Sequence, residues 1–284
     1  MGKTISPFDS PWQNYPGNNF DGLVGGSGDV TAVNQLTYDA QFGNGVSGTL
    51  ALVDPTAYHQ SNLFNLGAVN ANGLGVNNVN NAFVGGAFGL NDFGGTRAPD
   101  IIGRIKVDQA WGMFQFSAAA HNNHAAYYAT PAPVAPAVSI SGTELAGHPS
   151  DKWGWAVQGA VQFKTDFIGA GDTLNFQAVY TDGASRYNFQ SLAVQSYGMF
   201  GGSGIPGVYQ SVGLAAVADG VFVNGSGIDT VKTWGLRGAY NHNWDPYWNS
   251  ALYGAYAQVQ YGNATQGLIC GALAISHRVS STAT

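Results

Sequence analysis

Four cations stand out by position. Arg104, Lys106, Lys152 and Arg237 each fall on the polar side of a stretch in which apolar and polar residues alternate. Fixed charge set in such a row does electrostatic rather than covalent work, attracting or repelling mobile ions near it. Three acids, Asp9, Asp21 and Asp29, share a segment rich in Pro, Gly and aromatic residues and are the natural counter-charges. Covalent chemistry has weaker support. Ser, His and Asp all occur, but there is no Gly-x-Ser-x-Gly elbow or other nucleophile motif, so no catalytic residue is assigned. His121 and His124 lie three apart at a strand-to-loop junction, a spacing that puts them on opposite faces, and no third ligand accompanies them. No metal site is assigned and no cofactor is expected. Gly25-Gly26-Ser27-Gly28 has the glycine content of a phosphate loop, without the Lys or the following helix.

The elements that must position these residues are strands. In four pairs of segments apolar residues recur at every second position, which gives a strand one apolar face. In the first pair Leu36, Tyr38, Ala40 and Phe42 alternate with Gln35, Thr37, Asp39 and Gln41; Gly43-Asn44-Gly45 turns the chain; Val46, Gly48, Leu50 and Leu52 return. In the second, Ile101, Gly103, Ile105 and Val107 oppose Arg104, Lys106 and Asp108, and Phe114, Phe116, Ala118 and Ala120 follow beyond Trp111-Gly112. The third runs from Lys152 to Phe163 and returns from Leu174 to Tyr180. The fourth sets Trp234, Leu236, Gly238 and Tyr240 against Arg237 and its neighbours. It turns at Asp245-Pro246 and returns with Ala251, Tyr253, Ala255, Ala257, Val259 and Tyr261 as its apolar set.

Composition narrows the solvent these faces meet. Only 9% of the 284 residues are charged, 41 are Gly and 13% are aromatic, with mean hydropathy near zero. Such a chain suits a wall with lipid on one face and water on the other. No run approaches the roughly 18 apolar residues of a spanning helix, so a helical membrane protein is excluded. A net charge of −6 argues against nucleic acid. The single Cys270 permits no internal disulfide.

Connections within pairs are short (43–45, 109–112, about 164–172 and about 243–248) and those between pairs are long (about 54–100, 122–151 and 183–232). Compact soluble domains rarely hold structureless loops beyond roughly 15 residues, whereas outer-membrane barrels pair short periplasmic turns with long external loops. Aromatics sort the same way. Phe42, Trp111, Phe163, Trp244 and Trp248 lie at short-turn ends, and Tyr58, Trp153, Trp155, Tyr180, Trp234 and Tyr261 at long-loop ends, as two interfacial girdles would. On pattern alone a soluble sandwich or lectin-like barrel stays open as the rival.

The segments Gly2-Lys3-Thr4, Phe42-Gly43-Asn44-Gly45, Asp54-Pro55-Thr56-Ala57-Tyr58, Pro99 to Gly112, Trp153 to Phe163, Gly171 to Asp182 and Ala251 to Gly262 together resemble the alphaproteobacterial general-diffusion outer-membrane porin family. The resemblance spans roughly residues 2 to 270. It implies an all-β, transmembrane antiparallel β-barrel, sixteen-stranded in the full family and usually a homotrimer in outer-membrane lipid, passing small polar solutes and ions. It implies that 1–284 is one partial barrel domain lacking N-terminal and C-terminal strands, unable to close a normal pore by itself. Within it, Gly2-Lys3-Thr4 ends a strand, 5–30 forms a constriction loop folded into the lumen, about eight strands follow, and 271–284 is an atypical tail. On this reading Asp9, Asp21 and Asp29 are constriction acids and Arg104, Lys106, Lys152 and Arg237 are wall cations. The alternative is a structural or adhesin barrel whose external loops bind ligands; an enzyme barrel would need a nucleophile and base on one rim.

Overall fold

The structure is a computed structural model that describes residues 1–12, 24–28, 32–57, 59–65, 92–128, 144–189, 196–201 and 211–267; the tail at 271–284 and Tyr58 lie outside the described residues. The alternating segments form strands β1 (Gly2–Thr4), β2 (Val33–Gly43), β3 (Val46–Val53), β5 (Asp100–Gln109), β6 (Gly112–Asn123), β7 (Lys152–Lys164), β8 (Thr173–Asp182), β13 (Lys232–Asn243) and β14 (Asn249–Gln260). They make one nine-stranded sheet in the order β1-β2-β3-β5-β6-β7-β8-β13-β14, every pair antiparallel. Among the described residues β1 and β14 do not pair with each other, so the sheet is open.

Register decides which side each residue faces. Leu50, Gly103, Ala118, Val157, Tyr180 and Trp234 lie opposite one another across six strands as one apolar row. Leu36, Phe116 and Leu236 are 54%, 45% and 50% exposed, while Gln35 and Gln158 are 6% and 1% exposed. A soluble sandwich would reverse that order, so the outer face is built for lipid. Trp153 and Phe163 share the outer face ten residues apart. At roughly 3.4 Å per residue and a tilt of about 40° this is roughly 26 Å of membrane normal, close to the apolar band of outer-membrane barrels. At the two levels Trp155 packs on Tyr180 with ring centroids 5.4 Å apart, and Trp111 on Phe163 at 5.8 Å.

One strand departs from its sequence reading. Ala251, Tyr253, Ala255, Ala257 and Val259 lie opposite Asn241, Ala239, Arg237, Gly235 and Thr233, on the inner side, and Leu252 and Tyr256 face outward with Tyr240 and Leu236. β14 carries apolar residues at both parities, so its own alternation does not choose a face. The turn at 244–248 does, by pairing Asn243 with Asn249.

The long connections also hold more structure than expected. β4 (Leu63–Asn65), β11 (Gly220–Phe222) and β12 (Asp229–Thr230) form a small sheet joining the loop after β3 to the loop after β8, with β11 parallel to β4. β9 (Ser196–Gly201) and β10 (Ser211–Ala216) pair as a separate hairpin. Asp219 locks the knot: its carboxylate is fully buried and accepts from the Asn62 N–H at 2.6 Å and from the Ser185 N–H.

At the short-turn end Gly45 has φ +73°, and a Cβ there would fall 1.9 Å from the Asp108 carbonyl oxygen, whose own N–H donates to the Gly45 carbonyl at 2.9 Å. Gly43 has φ +84° but open space around it. Gly45→Ala is therefore expected to lose at least about 2 kcal/mol, and Gly43→Ala about 1 kcal/mol from backbone strain alone. Urea unfolding in detergent measures both, and equal losses would refute the close approach.

Candidate functional site

The inner face is polar where the outer face is apolar. Ser47, Lys106, Gln115, Ala160, Gln177 and Arg237 form one cross-strand row, and Thr49, Arg104, Ser117, Gln158, Val179 and Gly235 form the next. Most of these amides and hydroxyls are buried, Gln115, Ser117, Gln158 and Gln177 being at most 2% exposed, whereas Arg104 and Lys106 keep about a quarter of their side chains exposed.

Two limbs of the segment expected to fold inward lie directly on these rows. The first, 6–10, receives Gln158 Nε2 at the Phe8 carbonyl (2.7 Å) and Gln115 Nε2 at the Asp9 carbonyl (2.6 Å). The second, 24–28, is gripped at Ser27, whose N–H donates to Gln158 Oε1 at 2.8 Å and whose carbonyl accepts from Gln177 Nε2 at 2.8 Å. Glycine explains how the backbone comes so close: at Gly25, φ +93°, a Cβ would fall 2.4 Å from the Leu236 carbonyl. The run that resembled a phosphate loop is thus a contact strip. Phe8 anchors the first limb, fully buried with Tyr187 against Ala51, Ile102, Ala119 and Ala156. That part of the inner wall is therefore an apolar core rather than a wet surface. Trp12 is half-buried, and Tyr15 and Phe20 lie outside the described residues.

The nominated charges fall in different places. Asp9 is buried and accepts from Ser27 Oγ at 2.5 Å, so its carboxylate ties the two limbs together. Asp21 and Asp29 lie outside the described residues. Arg237 is 3% exposed, donates through Nε to Gln177 Oε1 at 2.7 Å and lies under Gly28. Arg104 pairs with Asp39 at 3.2 Å and donates to Thr49 Oγ1 at 2.7 Å; Lys106 lies 3.7 Å from Asp108. Both remain about a quarter exposed on the inner face. Four strand spacings, roughly 19 Å, separate Lys106 from Arg237. Lys152 is exposed at the loop end of β7, six residues or roughly 20 Å along the strand from Gln158, and does not join the other three.

Sequence reasoning missed a buried polar chain. Ser61 Oγ lies 2.7 Å from His121 Nε2, and His121 Nδ1 lies 2.7 Å from Asp100 Oδ1, while the Tyr187 hydroxyl donates to Asp100 Oδ2. The order matches a nucleophile, a base and an orienting acid. Yet Ser61 and Asp100 are fully buried and His121 is 2% exposed, so no substrate reaches the hydroxyl. The chain works instead as a staple, fixing the loop after β3 and the turn Ser185–Tyr187 to the ends of β5 and β6. His121, at the strand-to-loop junction, is thus buried within this chain. No local motif betrays the chain, because its members are brought together only by strand pairing.

At the opposite end the turn before β8 is closed by Asp172. Burial opposes ionisation of this carboxyl, but the Asn243 N–H (2.8 Å), the Tyr240 hydroxyl (2.7 Å) and His242 Nδ1 (2.7 Å) together pull it down to about 2.

The family model for the porin subfamily matches residues 1–283. No curated protein matches the chain. Among solved structures the outer membrane channel DcaP of Acinetobacter baumannii is similar in fold, with a TM-score of 0.55 and 14% identity over 91% of this chain and 52% of that one. The chain thus spans about half the length of that channel. An apolar outer face between two aromatic girdles, an antiparallel meander with short turns at one end, and a family match over nearly every residue converge. The chain belongs to the porin subfamily, whose transmembrane β-strands place it in the bacterial outer membrane.

Proposed function

We propose that this chain supplies the wall and the constriction of a water-filled pore through which small hydrophilic solutes and ions diffuse passively, in a homotrimeric assembly and without a reaction. The observation that carries the reading is the inward packing of 6–10 and 24–28 on the Gln115, Gln158 and Gln177 amides. A segment clamped on the inner wall in this way narrows a passage. Arg104 and Lys106 stay partly exposed on the adjoining strand and supply positive charge to the passage. The acids Asp21 and Asp29 supply the opposing sign on the inward segment, whereas Asp9, buried against Ser27, holds its two limbs together. Lys152 lies at the outer mouth, where it biases entry rather than the narrow zone.

Reconstitution in planar bilayers of a closed barrel, in which this chain is joined by the strands that complete it, tests this. Discrete ohmic conductance is expected. Replacing Asp21 and Asp29 together by Asn should shift the reversal potential towards anions, and Arg104→Gln with Lys106→Gln towards cations. Both shifts should shrink as salt rises, because the screening length falls from about 30 Å at 0.01 M to about 3 Å at 1 M. A folded, membrane-inserted protein without conductance would overturn the pore, and unchanged reversal potentials would remove these charges from it.

A further inference from the structure

The last rung between β6 and β7 pairs Asn123 with Lys152, so the next residues out, His124 and Asp151, must face each other beyond it. They do: His124 Nδ1 lies 2.8 Å from Asp151 Oδ1. Three residues before Asp151, His148 joins them. Its ring lies 5.1 Å from that of His124, and one ligand atom from each of the three lies within 4.8 Å of the others.

We infer that His124, His148 and Asp151 form a divalent metal site at the long-loop end of the sheet, suited to Zn²⁺. The donors are two imidazoles and one carboxylate, the set that borderline first-row cations take, whereas Ca²⁺ and Mg²⁺ require mostly oxygen ligands. Tetrahedral zinc with bonds of about 2.0–2.1 Å needs donor atoms roughly 3.4 Å apart. His124 and Asp151 must therefore part by about 0.6 Å and His148 approach by up to about 1.4 Å. His124 and Asp151 are held at adjacent strand ends, while His148 sits in the connection between Gly147, φ +71°, and Pro149, outside the strands. The His148 ring is already oriented: Nδ1 lies 2.7 Å from the Pro149 carbonyl oxygen. A donated N–H there leaves Nε2 as the free lone pair, the arrangement that outer hydrogen bonds give to ligating histidines. Asp151 is about a quarter exposed, and so reachable from water, and lies 3.6 Å from Arg97. Three protein donors leave a tetrahedral metal one open position for water or a passing anionic group.

The site is independent of conduction and is tested by binding alone. The detergent-folded chain, stripped with chelator, is titrated with ZnCl₂ by calorimetry and, in parallel, with Co²⁺ by visible absorption. One saturable site per chain with micromolar affinity is expected, with a Co²⁺ spectrum of low coordination number and no competition from millimolar Ca²⁺. His148→Ala should weaken binding at least about tenfold without changing the folded band on unheated gels. Asp151→Asn should weaken it too, and His242→Gln, at the opposite end, should leave it unchanged. Absence of saturable uptake, or equal binding by wild type and His148→Ala, would overturn the site and leave the trio as a hydrogen-bonded loop closure.

Discussion

Acidification from pH 7 to pH 4 is expected to loosen the loop that carries His59, by up to about 3 kcal/mol. His59 is 1% exposed, stacks on Tyr187 with centroids 4.1 Å apart and planes within 9°, and neither ring nitrogen finds a hydrogen-bond partner among the described residues. Burial pushes its pKa down to about 4, against an opposing pull from Asp100. A histidine depressed in this way stays neutral when folded, while the unfolded chain takes up a proton near pH 6.5. Stability is thus complete above about pH 6.5 and is lost as pH falls towards 4, below which both states are charged and the loss is complete. Hydrogen exchange of the 59–65 amides against pH reads the effect locally. His59→Phe, which keeps an aromatic face for Tyr187 but cannot titrate, should flatten the profile over that window. An identical pH dependence in wild type and variant would assign the titration elsewhere. The Asp172 carboxyl does not confuse this window. Being depressed to about 2, it contributes stability above about pH 4 that is lost only as pH falls through 2.

Asp100→Ala is expected to be the most damaging single change, at about 3–5 kcal/mol. The carboxylate is fully buried at the start of β5 and serves two partners at once, His121 through Oδ1 and the Tyr187 hydroxyl through Oδ2. Its removal strands both donors where water cannot replace it. Tyr187→Phe removes only one of these bonds and should cost about 1.5–3 kcal/mol, and Ser61→Ala, at the far end of the chain, about 1 kcal/mol. Because the groups share one acceptor, Tyr187→Phe and His121→Ala should be non-additive in a double-mutant cycle. Additive losses in detergent unfolding would show that the bonds are made independently and that no staple exists.

These residues also mark where the sequence became silent. The strands were legible because one solvent boundary imposes period two over eight or more residues, as from Lys152 to Phe163. The loop asymmetry was legible for the same reason, since it is what remains between the strands. The outward face of β14 was not, because Tyr253 and Val259 compete with Leu252 and Tyr256 for the same face and only the preceding turn breaks the tie. Ala51, Ile102 and Ala119 lie on the inner face. Their burial depends on Phe8 and Tyr187, two loop residues distant in the chain that arrive from opposite directions. Of the site, the aromatics and glycines of 5–30 suggested an inward segment, and Phe8 and Gly25 are among the described residues of it that pack on the wall. The staple of Ser61, His121, Asp100 and Tyr187 was not, since nothing in the spacing of four such residues announces that strand pairing will align them. The metal trio was half visible: His124 was noticed beside the wrong partner, His121, whose ring turns to the inner wall, while His148 and Asp151 needed the last rung of the β6–β7 ladder to bring them opposite.

The parallel pairing of β4 with β11 has a bearing on how the chain withstands digestion. The loop after β3 and the loop after β8 are separate stretches of backbone, yet Leu63–Asn65 and Gly220–Phe222 hydrogen-bond directly, with Asp219 buried behind them. A peptidase that cuts either stretch once, for instance after the exposed Arg97, therefore produces two fragments still laced together above the membrane and still joined through the sheet. The nick would show on a denaturing gel and not in the assembled particle. Surface exposure to proteases, normally the hazard of long external loops, is converted here into scars that the fold can carry.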